Sequence, residues 1–264
     1  MSDSATIELA LRRVFGAAAR IERAQAVSAS PENRSWHAVV DDSHVIAKVP
    51  ERSGGLTIAP ALEYELLGSA AAAGIGPQPL GFDAHTGMLF IAHIGAGDAL
   101  ESGAMGLPHI VARLADVLRK LHALEAPSEL RVFDPTGFAD EYCAGGSAAA
   151  LRLRDELEGL SARFARSFAG EHVCHNDLHA GNFLLGHRLW LIDFEYAVRA
   201  APIVDYASYA AFNGLDATAA LTLARAGLGE DLPFSDTELA GVIRIQRILG
   251  ELWEIARSDN NGAR

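Results

Sequence analysis

His175-Asn176-Asp177-Leu178-His179-Ala180-Gly181-Asn182 is a polar stretch set among apolar runs, and Phe183-Leu184-Leu185 and Leu189-Trp190-Leu191-Ile192 lead from it to Asp193-Phe194-Glu195. Asp177 and Asn182 lie five residues apart on what reads as a tight loop, where they supply a carboxylate and an amide oxygen. The two apolar runs read as a short β-hairpin that returns the chain and brings Asp193 to them from the other side. A carboxylate that orients a hydroxyl and accepts its proton, with oxygen ligands for Mg2+, is most of what phosphoryl transfer from a nucleotide asks of a protein. A lone loop aspartate is ordinarily a turn or cap residue. The spacing to Asn182 and Asp193 gives Asp177 a chemical reading instead. His175 and His179 lack the glutamate and third ligand of a helical zinc site, and His175 reads as structural support that braces the loop through hydrogen bonds.

The rest of the chain supports a cytoplasmic enzyme. Its 264 residues are 50% hydrophobic and 21% charged, a balance that excludes disorder and fibrous repeats. Acids at the start and Arg12-Arg13 in its apolar stretch exclude a signal peptide, and no run of 18 apolar residues offers a membrane span. Cys143 and Cys174 have neither metal-ligand nor redox spacing, which suits a reducing compartment. A formal net charge of -12 without a basic patch argues against nucleic acid as a partner and suits a cationic substrate.

Periodicity predicts a helix over 6–20, strands over 35–41 and 44–49 split by the turn signal Asp41-Asp42-Ser43, a helix over 61–73, and strands near 79–82 and 88–92. His93 to Asp98 reads as a linker. Beyond it come a helix over 107–124, helix over 138–168 broken at Gly145-Gly146-Ser147, and three helices within 202–257. The expected fold class is α+β, with a small antiparallel sheet over 1–93 that binds nucleotide and a mainly helical region over 94–264 that carries the catalytic loop and the acceptor site.

The H-x-D-x-x-x-x-N spacing followed by D-x-x resembles the catalytic loop and metal aspartate of protein kinases. The wording of both motifs resembles the choline/ethanolamine kinase and aminoglycoside phosphotransferase family, closest in its choline-kinase form. Leu118-Arg-Lys-Leu-His122 and Pro202-Ile-Val-Asp205-Tyr-Ala look like further family motifs. The resemblance implies a bilobal protein-kinase-like fold and an ATP-dependent, Mg2+-dependent small-molecule kinase. Asp177 is then the catalytic base, and Asn182 and Asp193 are the metal ligands. Lys48, in Val-Ile-Ala-Lys-Val, sits where the family's strand lysine meets the α- and β-phosphates. Its partner would be Glu63, from the spacing with Leu67, Ala70 and Gly74, or else Glu65.

Glu195 follows Asp193 by two residues, so an extended backbone would point both side chains one way. The resemblance sets it beside a cationic acceptor of the choline, ethanolamine, thiamine or amino sugar class. Trp253 is a second candidate for the acceptor pocket, though core packing is the commoner fate of such a tryptophan. Segment 27–36 lacks the glycine expected of a phosphate loop. The rival readings are an aminoglycoside phosphotransferase and a nucleotide-binding pseudokinase.

Overall fold

The computed structural model describes residues 3–27, 34–50, 57–95, 98–143 and 147–262. Most of the segment 27–36, including 28–33, lies outside them. The chain forms two compact units, Met1–Asp98 with Leu184–Glu195, and Ala99–Phe183 with Tyr196–Arg264.

The first unit opens with helix α1 (Asp3–Phe15) and strands β1 (Ile21–Ala26), β2 (Arg34–Val40) and β3 (Ser43–Val49). Helix α2 (Pro60–Ala72), strands β4 (Pro79–Asp83) and β5 (Met88–Ala92) follow. The strands make an antiparallel sheet in the order β1-β2-β3-β5-β4. Asp41 and Asp42 both have positive φ, 47° and 67°. They form the two-residue loop whose twist matches a hairpin, with Val40 opposite Ser43.

Alternation divides the sheet's faces. Ala38, Val40, Val45, Ala47 and Phe90 bury themselves against Ile7 and Leu11 of α1. The opposite face carries His37, Ile46 and Ile91 in one cross-strand row and Ser35, Lys48 and Leu89 in the next. Where α1 crosses β4 the sheet has Gly81, because a Cβ there would stand 2.1 Å from Val14 Cγ1.

An ion pair fixes that crossing. Arg13 reaches Asp83 through Nε at 3.1 and 3.2 Å and through its terminal nitrogen at 2.6 Å. These bonds draw the Asp83 pKa down to about 2 against the opposing effect of burial, with help from Thr86 and the His85 amide. A depressed carboxylate pKa stabilises the fold above its unfolded value and loses that stability as pH falls through the folded value. Asp83→Asn should therefore cost about 2 kcal/mol at neutral pH, read by urea melts. The gap to the parent should narrow between about pH 4 and 2; a gap independent of pH would refute the assignment.

The second unit contains the two-residue strand end β6 (Asp98–Ala99), which starts in the first unit, then helices α3 (Pro108–Leu121), α4 (Pro135–Tyr142) and α5 (Ala148–Phe168). Strands β7 (His172–Cys174) and β10 (Val198–Ala200) and helices α6 (Ile203–Phe212), α7 (Ala217–Leu228) and α8 (Asp236–Gly262) complete it, while β8 (Phe183–Leu185), from its second residue on, and β9 (Leu189–Leu191) belong to the first unit. Of the stripe foreseen over 107–124, Ile110, Val111, Leu114, Leu118 and Leu121 are buried, while Leu107, at the N-cap, is exposed. Helix α6 is buried along its length and packs on α7 and α8. Pairing of β10 with β7 sets Val198 opposite Cys174 and so brackets the polar loop that begins at His175. No helix among the described residues is long and apolar enough to cross a membrane.

Candidate active site

The loop 175–182 is held by side chains of the helix behind it. Buried Asp205, on α6, accepts the His175 amide at 3.1 Å and the Asn176 amide at 2.8 Å, while His122 Nε2 donates to the same carboxylate at 2.8 Å. Three residues on, Ser208 Oγ accepts from the Leu178 amide at 3.0 Å. Asn213 caps α6, accepts from the Ala180 amide at 2.9 Å, and donates to the Leu178 carbonyl at 2.7 Å. Asn176 takes a left-handed φ of 64°, which asparagine tolerates best among residues with a Cβ. Gln246 donates to its side-chain oxygen at 2.8 Å. A buried irregular backbone must have its N–H and C=O groups met, and here three polar residues of one helix region do so.

On that frame Asn182 Nδ2 donates to the Asp177 carbonyl at 2.8 Å and to Asp177 Oδ2 at 2.9 Å. Both amide hydrogens are thereby committed to Asp177, so Asn182 turns its oxygen Oδ1 away from it, the orientation a metal-ligating amide needs. His179 Nε2 lies 3.6 Å from Asp177 Oδ2. Burial and then the charge of Asp177 raise the Tyr142 phenol well above its ordinary value.

A second cluster forms within the first unit. Lys48 Nζ donates to Glu63 Oε1 at 2.7 Å and Asp193 Oδ1 at 2.5 Å, and pairs with Glu195 Oε2 at 3.0 Å. Burial works to lower the lysine's pKa, but the three carboxylates outweigh it and hold the ammonium charged. Burial, reinforced by Asp193, pushes Glu195 up to about 8 against the pull of Lys48. Glu63 also rises, chiefly through burial. The rise of Glu195 and Glu63 shows that one ammonium does not offset three buried acidic groups, so a divalent cation would favour their ionised form, and hard carboxylate and amide oxygens are the donors Mg2+ takes. A cavity of ≈ 60 Å³ opens beside the ammonium, lined among others by Thr57, Ile58, Leu89 and Glu195. It has room for about two waters.

The structure thus gathers Lys48, Glu63, Asp193 and Glu195 in one unit and Asp177 with Asn182 in the other. Glu63 meets Lys48, while Glu65 is exposed. Asp193 adopts φ 70° and Phe194–Tyr196 is a 3-10 turn, so the extended backbone expected to align Asp193 with Glu195 is absent; the turn itself brings both to Lys48. Glu195 therefore faces inward onto the ammonium. His175 is fully buried, yet the loop-bracing bond to Asp205 comes from its backbone N–H. Trp253 is half-buried with the Arg257 guanidinium 4.9 Å over its ring. Ser208, Asn213 and Tyr142 carry no linear signal for these places, whereas the Pro-x-x-Asp motif already singled out Asp205.

Comparison with known proteins decides the family. The model of the phosphotransferase enzyme family matches residues 23–238. This chain belongs to that family. No curated protein sequence matches it. The fold of this phosphotransferase is shared with choline kinase LicA from Streptococcus pneumoniae at a TM-score of 0.80 and 19% identity, over 97% of this chain and 92% of that one. LicA in complex with AMP gives 0.83 at 19% identity, over 98% and 92%. A choline/ethanolamine kinase family protein from Mesorhizobium loti gives 0.73 at 22% identity, over 97% and 87%. Spectinomycin phosphotransferase, in complex with ADP and spectinomycin, gives 0.62 at 17% identity, over 98% and 88%. The expected protein-kinase-like fold, with its small antiparallel sheet and mainly helical remainder, is the fold observed, and the enzyme class is that of a small-molecule kinase.

Proposed function

We propose that this phosphotransferase moves the γ-phosphoryl group of ATP to the hydroxyl of a small cationic acceptor, an amino alcohol or a molecule of similar chemistry. The observation that carries the reading is the Asp177–Asn182 pair on a loop whose backbone is fixed by Asp205, Ser208 and Asn213. Asp177 orients the acceptor O–H and takes its proton as oxygen attacks the γ-phosphorus; the bond from that phosphorus to the β-phosphate oxygen breaks and ADP leaves. Asn182 Oδ1 and Asp193 would hold Mg2+, which supplies charge neutralisation on the phosphates when bound. Lys48, kept charged by its three carboxylates and steadied by Glu63, would bind the donor phosphates. The half-buried row of Ile46 and Ile91 on the same sheet face offers an apolar platform for a flat base.

Support for a cationic acceptor comes from the overall charge of -12 and from the carboxylate of Asp177, whose charge is felt by the buried Tyr142 phenol. Glu195 adds a further acid to the Lys48 cluster, and Trp253 contributes less because Arg257 covers its ring. Dependence on ATP agrees with action in the cytoplasm.

Asp193→Asn tests the metal role. With Mg2+ and ATP at about 100 times Kd the parent should gain about 2.7 kcal/mol of stability over the free protein, seen as a rise in Tm. The variant should show only the smaller shift that ATP gives without Mg2+. A full Mg2+-dependent shift in Asp193→Asn would remove Asp193 from the metal's ligands.

A further inference from the structure

Three imidazoles from three neighbouring strands meet on the sheet face that also carries Lys48. Ala92 pairs with Val45, and the His93 amide donates to the His44 carbonyl at 3.1 Å, so His93 stands directly across from His44. His37 pairs with Ile46, two residues along β3 from His44, and is therefore a diagonal neighbour of His44 on that face. His37 Nε2 lies 2.8 Å from His44 Nδ1, and one nitrogen of each of the three rings lies within 4.8 Å of the others. We propose that His37, His44 and His93 form a binding site for a borderline divalent transition metal of the Zn2+ or Ni2+ kind, separate from the phosphoryl-transfer residues.

The donor set selects that class. Three neutral imidazoles suit Zn2+, Ni2+ and Cu2+ and are poor ligands for Mg2+, which takes oxygens. Three ligands with one open position filled by water is a common zinc arrangement. Nitrogens about 2.0–2.1 Å from a tetrahedral ion sit somewhat closer together than 4.8 Å, and exposed His44 and His93 have the rotamer freedom to close the gap. A hydrogen-bonded pair would account for His37 and His44 alone, but not for a third ring at 5.0 Å from the first. The other trio of ligand-type groups, His122, Cys174 and Asp205, is fully buried, and its carboxylate already serves two loop amides.

The test is calorimetric titration of the untagged, metal-stripped full chain with Zn2+ and Ni2+ in the presence of excess Mg2+, alongside visible spectra with Co2+. One saturable ion per chain and the ligand-field bands of four-coordinate cobalt are expected. His44→Ala and His93→Ala should each weaken binding at least about tenfold, the triple alanine variant should abolish it, and His109→Ala, on α3, should leave it intact. His→Gln variants at the same positions, with Tm checked, guard against a folding defect. Absence of saturable binding, or binding that survives in the triple variant, would overturn the site.

Discussion

Asp177→Asn should lower kcat by about 10²–10⁴, the usual contribution of a positioned general base, while the affinity for ATP with Mg2+ should stay near that of the parent. The amide is nearly isosteric with the carboxylate, and it sits on a loop fixed by bonds that do not involve the Asp177 side chain: those of Asp205, Ser208 and Asn213 to backbone groups. The fold should therefore survive and the loss should fall on turnover. Asn182 donates to Asp177 Oδ2, and an asparagine at 177 can still accept that bond through its own carbonyl. Steady-state kinetics and a nucleotide binding isotherm separate the two effects. Loss of binding and turnover together would make Asp177 structural, and unchanged turnover would remove it from the mechanism.

Asp205→Ala should be the most damaging substitution for stability, at about 3–5 kcal/mol, the range for removing one member of a buried charged network. The cost has two parts. The amides of His175 and Asn176 lose their acceptor where water does not reach, and His122 loses the partner of its ring nitrogen. A chain of ordinary stability has about 5–15 kcal/mol to lose, so the variant should melt many degrees lower. Its surviving folded fraction should turn over slowly, because the loop that aims Asp177 is no longer fixed. Denaturant melts and kinetics at low temperature measure both; a Tm within a degree or two of the parent would show that the loop holds itself.

Much of the fold was legible in local pattern. The stripe from Ile110 to Leu121 is helical because apolar residues recur at 3.6-residue spacing, and Asp41-Asp42 is a hairpin because aspartate tolerates the left-handed region that a two-residue loop requires. Strand β1 was less legible. Ile-Glu-Arg-Ala-Gln-Ala has weak strand propensity, and pairing with β2 supplies what the residues do not. Glu63 was favoured over Glu65 only through the family resemblance of its spacing to Leu67, Ala70 and Gly74; the helix buries Glu63 and leaves Glu65 exposed.

What sequence could not give was long-range. The bonds from Asp205, Ser208 and Asn213 to the loop span about thirty residues and leave no periodic trace. The meeting of His37, His44 and His93 depends on β3 pairing with β5, a register that neither strand states by itself. Glu195 was read from strand alternation, and the 3-10 turn reaches Lys48 by a different backbone path.

Chemical transfer through Asp177 is tested most directly by ADP formation by the parent and Asp177→Asn side by side, with amino alcohols, thiamine, amino sugars and aminoglycosides as acceptors, with and without Mg2+. At least one cationic, hydroxylated acceptor should raise Mg2+-dependent ADP formation by the parent, and Asp177→Asn should lose about 10²-fold or more of it. Equal rates in the two proteins, or ATP binding with no acceptor able to stimulate turnover, would contradict it.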